Sequence, residues 1–76
     1  MPYDNKNFGL NLMFERKKAQ MTQEQLEQKS GVDINSIARY ETGSTCPGLD
    51  KVYALAAALE CSIDKLAGLS EAVDEQ

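Results

Sequence analysis

The stretch from Thr22 to Gly43, TQEQLEQKSGVDINSIARYETG, constrains the fold more than any other part of the chain. It holds two short helix signals with a glycine-bearing break between them. Thr22 followed by Gln25 fits a capping box, in which each side chain satisfies an orphan backbone N–H at a helix start. Leu26 is the apolar anchor of that first helix. Ser30-Gly31 ends it, because glycine accepts the positive φ that a sharp turn needs. Val32 follows as a buried plug, and Asp33 is a good N-cap for the next helix. There Ile37 and Tyr40, three residues apart, give an inner face that Glu41 shares, and Thr42-Gly43 stops the helix.

Two short helices joined by such a turn form a helix-turn-helix, whose second helix fits a DNA major groove. The spacing of Leu26, Gly31, Val32 and Ile37 resembles the phage-repressor and Cro-type helix-turn-helix family, which includes xenobiotic-response-element-type regulators. Arg16, Glu41-Thr42-Gly43, Pro47 and the later Leu55, Ala56, Leu59, Ser62 and Leu66 also fall at that family's positions. The resemblance therefore runs from about Phe8 to Leu66. It implies an all-α, five-helix, lambda-repressor-like DNA-binding domain.

Around the motif, the pattern divides the chain into a loose arm (1–6), the domain (7–68) and an acidic tail (69–76). The first helix is expected over Asn7 to Ala19, with Phe8, Leu12, Arg16 and Ala19 on one face. The motif helices are expected over Gln23 to Lys29 and Ile34 to Thr42. A fourth runs from Leu49 to Leu59, with Leu49, Val52, Tyr53, Ala56 and Leu59 as its apolar stripe. Its alanines, Ala54 and Ala56 to Ala58, let a neighbour approach closely. Ser62 caps a fifth helix that turns Ile63 and Leu66 inward. The family often has glycine where Glu60 stands, which puts Glu60 at a left-handed C-cap.

A chain of 76 residues supports one small core. No apolar run is long enough to span a membrane and no secretory signal is visible, so a cytoplasmic protein is expected. There is no histidine, and Cys46 and Cys61 stand alone, which excludes the common Cys/His zinc patterns. Cys61 reads as a small core residue and Cys46 as a loop residue. Neither a catalytic constellation nor a phosphate-binding glycine loop is visible, so neither an enzyme nor a cofactor or metal site is expected. The net charge of −4 disfavours a nucleic-acid partner, but Glu71, Asp74 and Glu75 follow Leu69, and all eight bases precede it. Nine acids against eight bases leave residues 1–69 at −1. A near-neutral domain can still present a positive face, with a smaller electrostatic share of affinity.

The resemblance assigns site residues. Arg16 on a core-facing stripe pairs with Glu41 at the end of the recognition helix. The first residues of that helix, Ile34 and Asn35, and Arg39 one turn on, face the bases. Asparagine suits adenine, arginine suits guanine, and an aliphatic chain suits a thymine methyl. Ala38 is small enough not to block approach. Gln23 at the start of the first motif helix, and Ser36, are the phosphate contacts. Glu27 departs from the family, which has alanine there, and must turn to solvent or find a cation such as Arg39. Leu10, Met13 and Phe14 make an apolar patch on the back of the first helix. A second copy of the chain, or the chain's own Leu69 and Val73, could cover it, and the dimer is favoured. The expected partner is thus a double-stranded DNA operator bound by a homodimer, with no membrane and no small-molecule effector evident. The alternative is a protein-interaction module on the same fold, for which acidity is no handicap.

Overall fold

The computed structural model describes residues 5–68. These form five helices: α1 (Asn5–Lys18), α2 (Gln23–Ser30), α3 (Ile34–Thr42), α4 (Leu49–Leu59) and α5 (Ile63–Ala67). No strand occurs among the described residues. Leu69 and Val73, the intramolecular cover considered for the back of α1, lie outside them.

Local chemistry sets the helix ends. Thr22 Oγ1 accepts from the Gln25 backbone N–H at 3.0 Å, and the Thr22 N–H donates to Gln25 Oε1 at 2.9 Å. Asp33 Oδ2 accepts from the Asn35 N–H at 2.9 Å, and Ser62 Oγ from the Lys65 N–H at 3.0 Å. Gly31 closes α2 at φ 79° and Gly43 closes α3 at φ 82°. Two helices end without glycine. Gln20 (φ 60°) follows α1, and Glu60 (φ 55°) is the left-handed C-cap of α4. Each such residue carries roughly 1–2 kcal/mol of steric cost. The turn at Gln20 stops α1 at Lys18, so Ala19 is exposed rather than part of the inner face.

The start of α1 also differs from expectation. Asn5 and Lys6 belong to the helix, not to an arm. Gly43 at the end of α3 lies against them: a Cβ there would sit 2.8 Å from Lys6 Cγ. The end of α3 therefore backs the first turn of α1.

Leu12, Leu26, Ile37, Leu55 and Leu66, one from each helix, are fully buried. Phe8, Val32 and Tyr40 complete the centre. Each large apolar side chain withdrawn from water contributes on the order of 1.5–3 kcal/mol. α1 crosses α3 at Gly9, where a Cβ would lie 2.4 Å from the Tyr40 carbonyl oxygen and 2.6 Å from that of Glu41. Only glycine permits two helix backbones to approach this closely.

The stripe on α4 differs from the expected one. Its buried residues are Leu55, Ala56, Ala58 and Leu59, with Val52 half-buried, while Leu49 and Tyr53 are 74% and 69% exposed. An alanine-rich helix is apolar nearly all round, so its periodicity fits more than one face. Packing against α2 and α5 selects the face centred on Leu55. Cys61 and Ile63 are half-buried at the edge of the core, whereas Leu66 is fully enclosed.

Candidate nucleic-acid interface

Arg16 and Glu41 meet in the interior. Arg16 Nε donates to Glu41 Oε2 at 2.6 Å and Nη2 donates to Oε1 at 3.1 Å. Nη1 donates to the Met21 carbonyl at 2.9 Å. The two side chains are 11% and 2% exposed, so the fork is almost dry. A two-pronged arginine–carboxylate contact is both stronger and more directional than a single bond. Glu41 has a third donor: Gln23 Nε2 lies 3.0 Å from its Oε1. One carboxylate thus collects α1, the start of α2 and the end of α3. One proton of the Gln23 amide is committed to Glu41.

Glu27 neither turns to solvent nor pairs with Arg39. Its Oε2 accepts from the Ile34 backbone N–H at 3.0 Å. It is a cap for α3 supplied from α2, and together with the Asp33 cap it closes the first two N–H groups of α3 on carboxylates. Ser30 Oγ accepts from the Val32 N–H at 3.0 Å and steadies the turn between them. The start of α2 is different. Its capping box is uncharged, though Glu24 lies in its first turn, and the Gln23 and Glu24 N–H groups have no acceptor among the described residues.

With Ile37, Tyr40 and Glu41 turned inward, the other side of α3 faces out. Asn35 and Arg39 are exposed there, roughly one helical turn apart. Ile34 and Ser36 are half-buried at its margins, as is Ala38 between Ile34 and Arg39. Gln23 is half-buried at the start of α2. Ile34, Asn35, Ser36 and Arg39 share α3, and Gln23 is tied to the end of that helix through Glu41. Leu10, Met13 and Phe14 are not among them: they lie on the outer side of α1, where Leu10 and Phe14 are 62% and 63% exposed. The sequence reading missed the capping role of Glu27 and the bond from Gln23 to Glu41. Both depend on how α2 crosses α3, and no local pattern carries that.

The helix-turn-helix family model matches residues 12–66, a span that holds every group of this network. The chain belongs to the helix-turn-helix family. It is 37% identical over 54 residues to the cryptic phage CTXphi transcriptional repressor RstR of Vibrio cholerae, covering 71% of this chain and 48% of RstR. It is 39% identical over 59 residues to the HTH-type transcriptional regulator YobD of Bacillus subtilis, covering 78% of this chain and 53% of YobD. The chain therefore spans about half the length of these curated relatives. Its fold is that of lambda-like repressor domains. The restriction-modification controller protein C.AhdI of Aeromonas hydrophila superposes with a TM-score of 0.79 at 29% identity, covering 82% of this chain and 94% of that one. The P22 c2 repressor, solved with synthetic operator 9T, superposes with a TM-score of 0.75 at 32% identity, covering the same shares of the two chains. In this helix-turn-helix chain, α2 and α3 are the two helices of the motif.

Proposed function

We propose that this chain is a cytoplasmic DNA-binding transcriptional regulator of the repressor type, acting by occupancy and not by catalysis. The observation that carries the reading is the outer face of α3. It presents Asn35 and Arg39, exposed and one turn apart, on a helix whose inner face is fixed by Ile37, Tyr40 and the Arg16–Glu41 fork. Asn35, Arg39 and Ile34 contact base edges, and Gln23 and Ser36 contact phosphate. The unpaired N–H groups at the start of α2 suit a phosphate oxygen. The kinship with RstR, YobD and the operator-bound P22 c2 repressor supports the same reading.

Two-fold DNA sites need two recognition helices about one duplex turn apart, roughly 34 Å. A second copy of this chain, seated on Leu10, Met13 and Phe14, is the arrangement we infer. It would be an isologous contact, the same patch on both subunits. The exposed Leu49 and Tyr53 on α4 are the competing surface. Sedimentation separates the two: Phe14→Glu gives a folded monomer if the α1 face is the contact, and Tyr53→Glu does so if the α4 face is.

The function is tested by selecting binders from a pool of random duplexes and titrating the selected site with salt. Asn35→Ala and Arg39→Ala are each expected to weaken that site by about 1–3 kcal/mol and relax preference at one base pair. Gln23→Ala is expected to weaken all sequences alike, because a phosphate contact carries no sequence information. Failure to bind any duplex at low salt would overturn the reading and favour a protein-interaction module.

A further inference from the structure

The domain buries two carboxylates, Glu41 at 5% exposure and Glu15 at 7%. Their surroundings are opposite. The Glu41 carboxylate has three donors, whereas the Glu15 carboxylate has no hydrogen-bond or ion-pair partner among the described residues. Yet no fully enclosed polar side-chain atom among the described residues lacks a partner. The Glu15 oxygens must therefore reach solvent, and they do so in an open groove of about 420 Å³ where α1 meets the α4–α5 junction. Arg16, the adjacent cation in sequence, is spent on Glu41.

Lys18, Leu59, Cys61, Ser62 and Lys65 line the groove with Glu15. Burial pushes the pKa of the Cys61 thiol up, the Glu15 carboxylate pushes it further, and Lys65 and Lys18 oppose the rise. One carboxylate and two ammonium groups thus act on one sulfur at the groove wall. Glu60, also at the rim, is exposed and turned toward Lys29 at 3.9 Å.

A carboxylate buried up to its solvent-facing oxygens has room for one charged donor there, and an ammonium makes the stronger, charge-assisted hydrogen bond to it. A bare cation would meet repulsion from Lys18 and Lys65. A bare anion would meet Glu15. A molecule carrying both charges satisfies both ends, and its carbon chain has Leu59 and Ala19 to lie on. The volume falls within the roughly 300–1,000 Å³ of small-molecule sites. We propose that this groove binds a small zwitterionic amine of the amino-acid class, its ammonium on Glu15 and its carboxylate between Lys18 and Lys65. The site is separate from α2 and α3, so it stands or falls independently of DNA binding.

The test uses the full chain, isotope-labelled and followed by two-dimensional amide NMR without DNA. The probes are γ-aminobutyrate, butylamine and butyrate at matched ionic strength. Saturable shifts are expected with γ-aminobutyrate at the amides of Lys18, Ala19, Cys61 and Ser62. Glu15→Gln, which keeps the side-chain shape, should weaken binding at least about tenfold, and Lys65→Ala, at an exposed position, about threefold. Butylamine binding as tightly as γ-aminobutyrate and unaffected by Lys65→Ala would overturn the zwitterion assignment. Equal affinity of wild type and Glu15→Gln, or no saturable shift with γ-aminobutyrate, would overturn the site.

Discussion

The two helices of the motif begin in opposite ways. α2 starts on an uncharged Thr22–Gln25 box and leaves the Gln23 and Glu24 N–H groups without an acceptor among the described residues. α3 starts on two carboxylates, Asp33 and Glu27, which take its first two N–H groups. A helix N-terminus attracts anions through its open N–H groups and its dipole. The start of α2 keeps its N–H groups open, with Glu24 in its first turn offsetting part of the dipole, while the start of α3 has its donors occupied. Under the proposed function a phosphate fits the start of α2 better than that of α3, and α3 acts through its outward side chains. Capping alone thus leaves one helix start of the motif open and closes the other.

The largest way to break this division is at the Arg16–Glu41–Gln23 network, which holds the start of α2 against the end of α3. Arg16→Ala leaves Glu41 buried without its counter-charge, at a cost of roughly 3–5 kcal/mol. For a domain of this size each kcal/mol lowers the melting temperature by about 4–8 °C. A thermal melt within a few degrees of wild type would show that the fork contributes little. Gly9→Ala attacks the same region without touching a charge. Its methyl group meets the Tyr40 and Glu41 carbonyls, so α1 must shift off α3, at about 1–3 kcal/mol. Unchanged stability would mean that the crossing tolerates more space than its distances imply.

Two smaller changes address the helix starts themselves. Thr22→Ala removes the acceptor for the Gln25 N–H and should lower stability by about 1 kcal/mol in a denaturant titration. Glu27→Gln keeps an acceptor for the Ile34 N–H but removes the charge. Its stability should stay within about 0.5 kcal/mol of wild type. If the motif binds duplex DNA as proposed, its affinity should rise several-fold at low salt, because one negative charge leaves the motif. Unchanged affinity for duplex DNA would show that the carboxylate at the start of α3 has no electrostatic influence on binding.

The exposed apolar surfaces set a different limit on what a sequence conveys. Leu10 and Phe14 read as outward because the opposite face of α1 is unambiguous, and both are exposed. Tyr53 and Leu49 read as inward and are also exposed. The two helices differ in how clearly side-chain size marks an inner face. On α1 the large Phe8 and Leu12 mark it, although Arg16 shares it. On α4 the alanines remove that mark.

What the sequence determined by itself is what neighbouring residues decide. The capping box at Thr22, the Asp33 and Ser62 caps, and the turns at Gly31 and Gly43 follow from short-range hydrogen bonding and allowed φ values. So does the inward placement of Leu26, Val32, Ile37 and Tyr40, which obeys helical periodicity within one motif. The Arg16–Glu41 pairing came from family resemblance, since nothing local joins residues 25 apart. Tertiary structure alone decided the rest. It turned Glu27 into a cap for α3, brought Gln23 to Glu41, set Gly9 against the α3 carbonyls and chose Leu55 over Tyr53 for the core. It also left the Glu15 carboxylate without a partner among the described residues, beside an open groove. Each of these depends on the distance and angle between helix axes. Those are set by how whole faces pack together, and no single stretch of sequence encodes them.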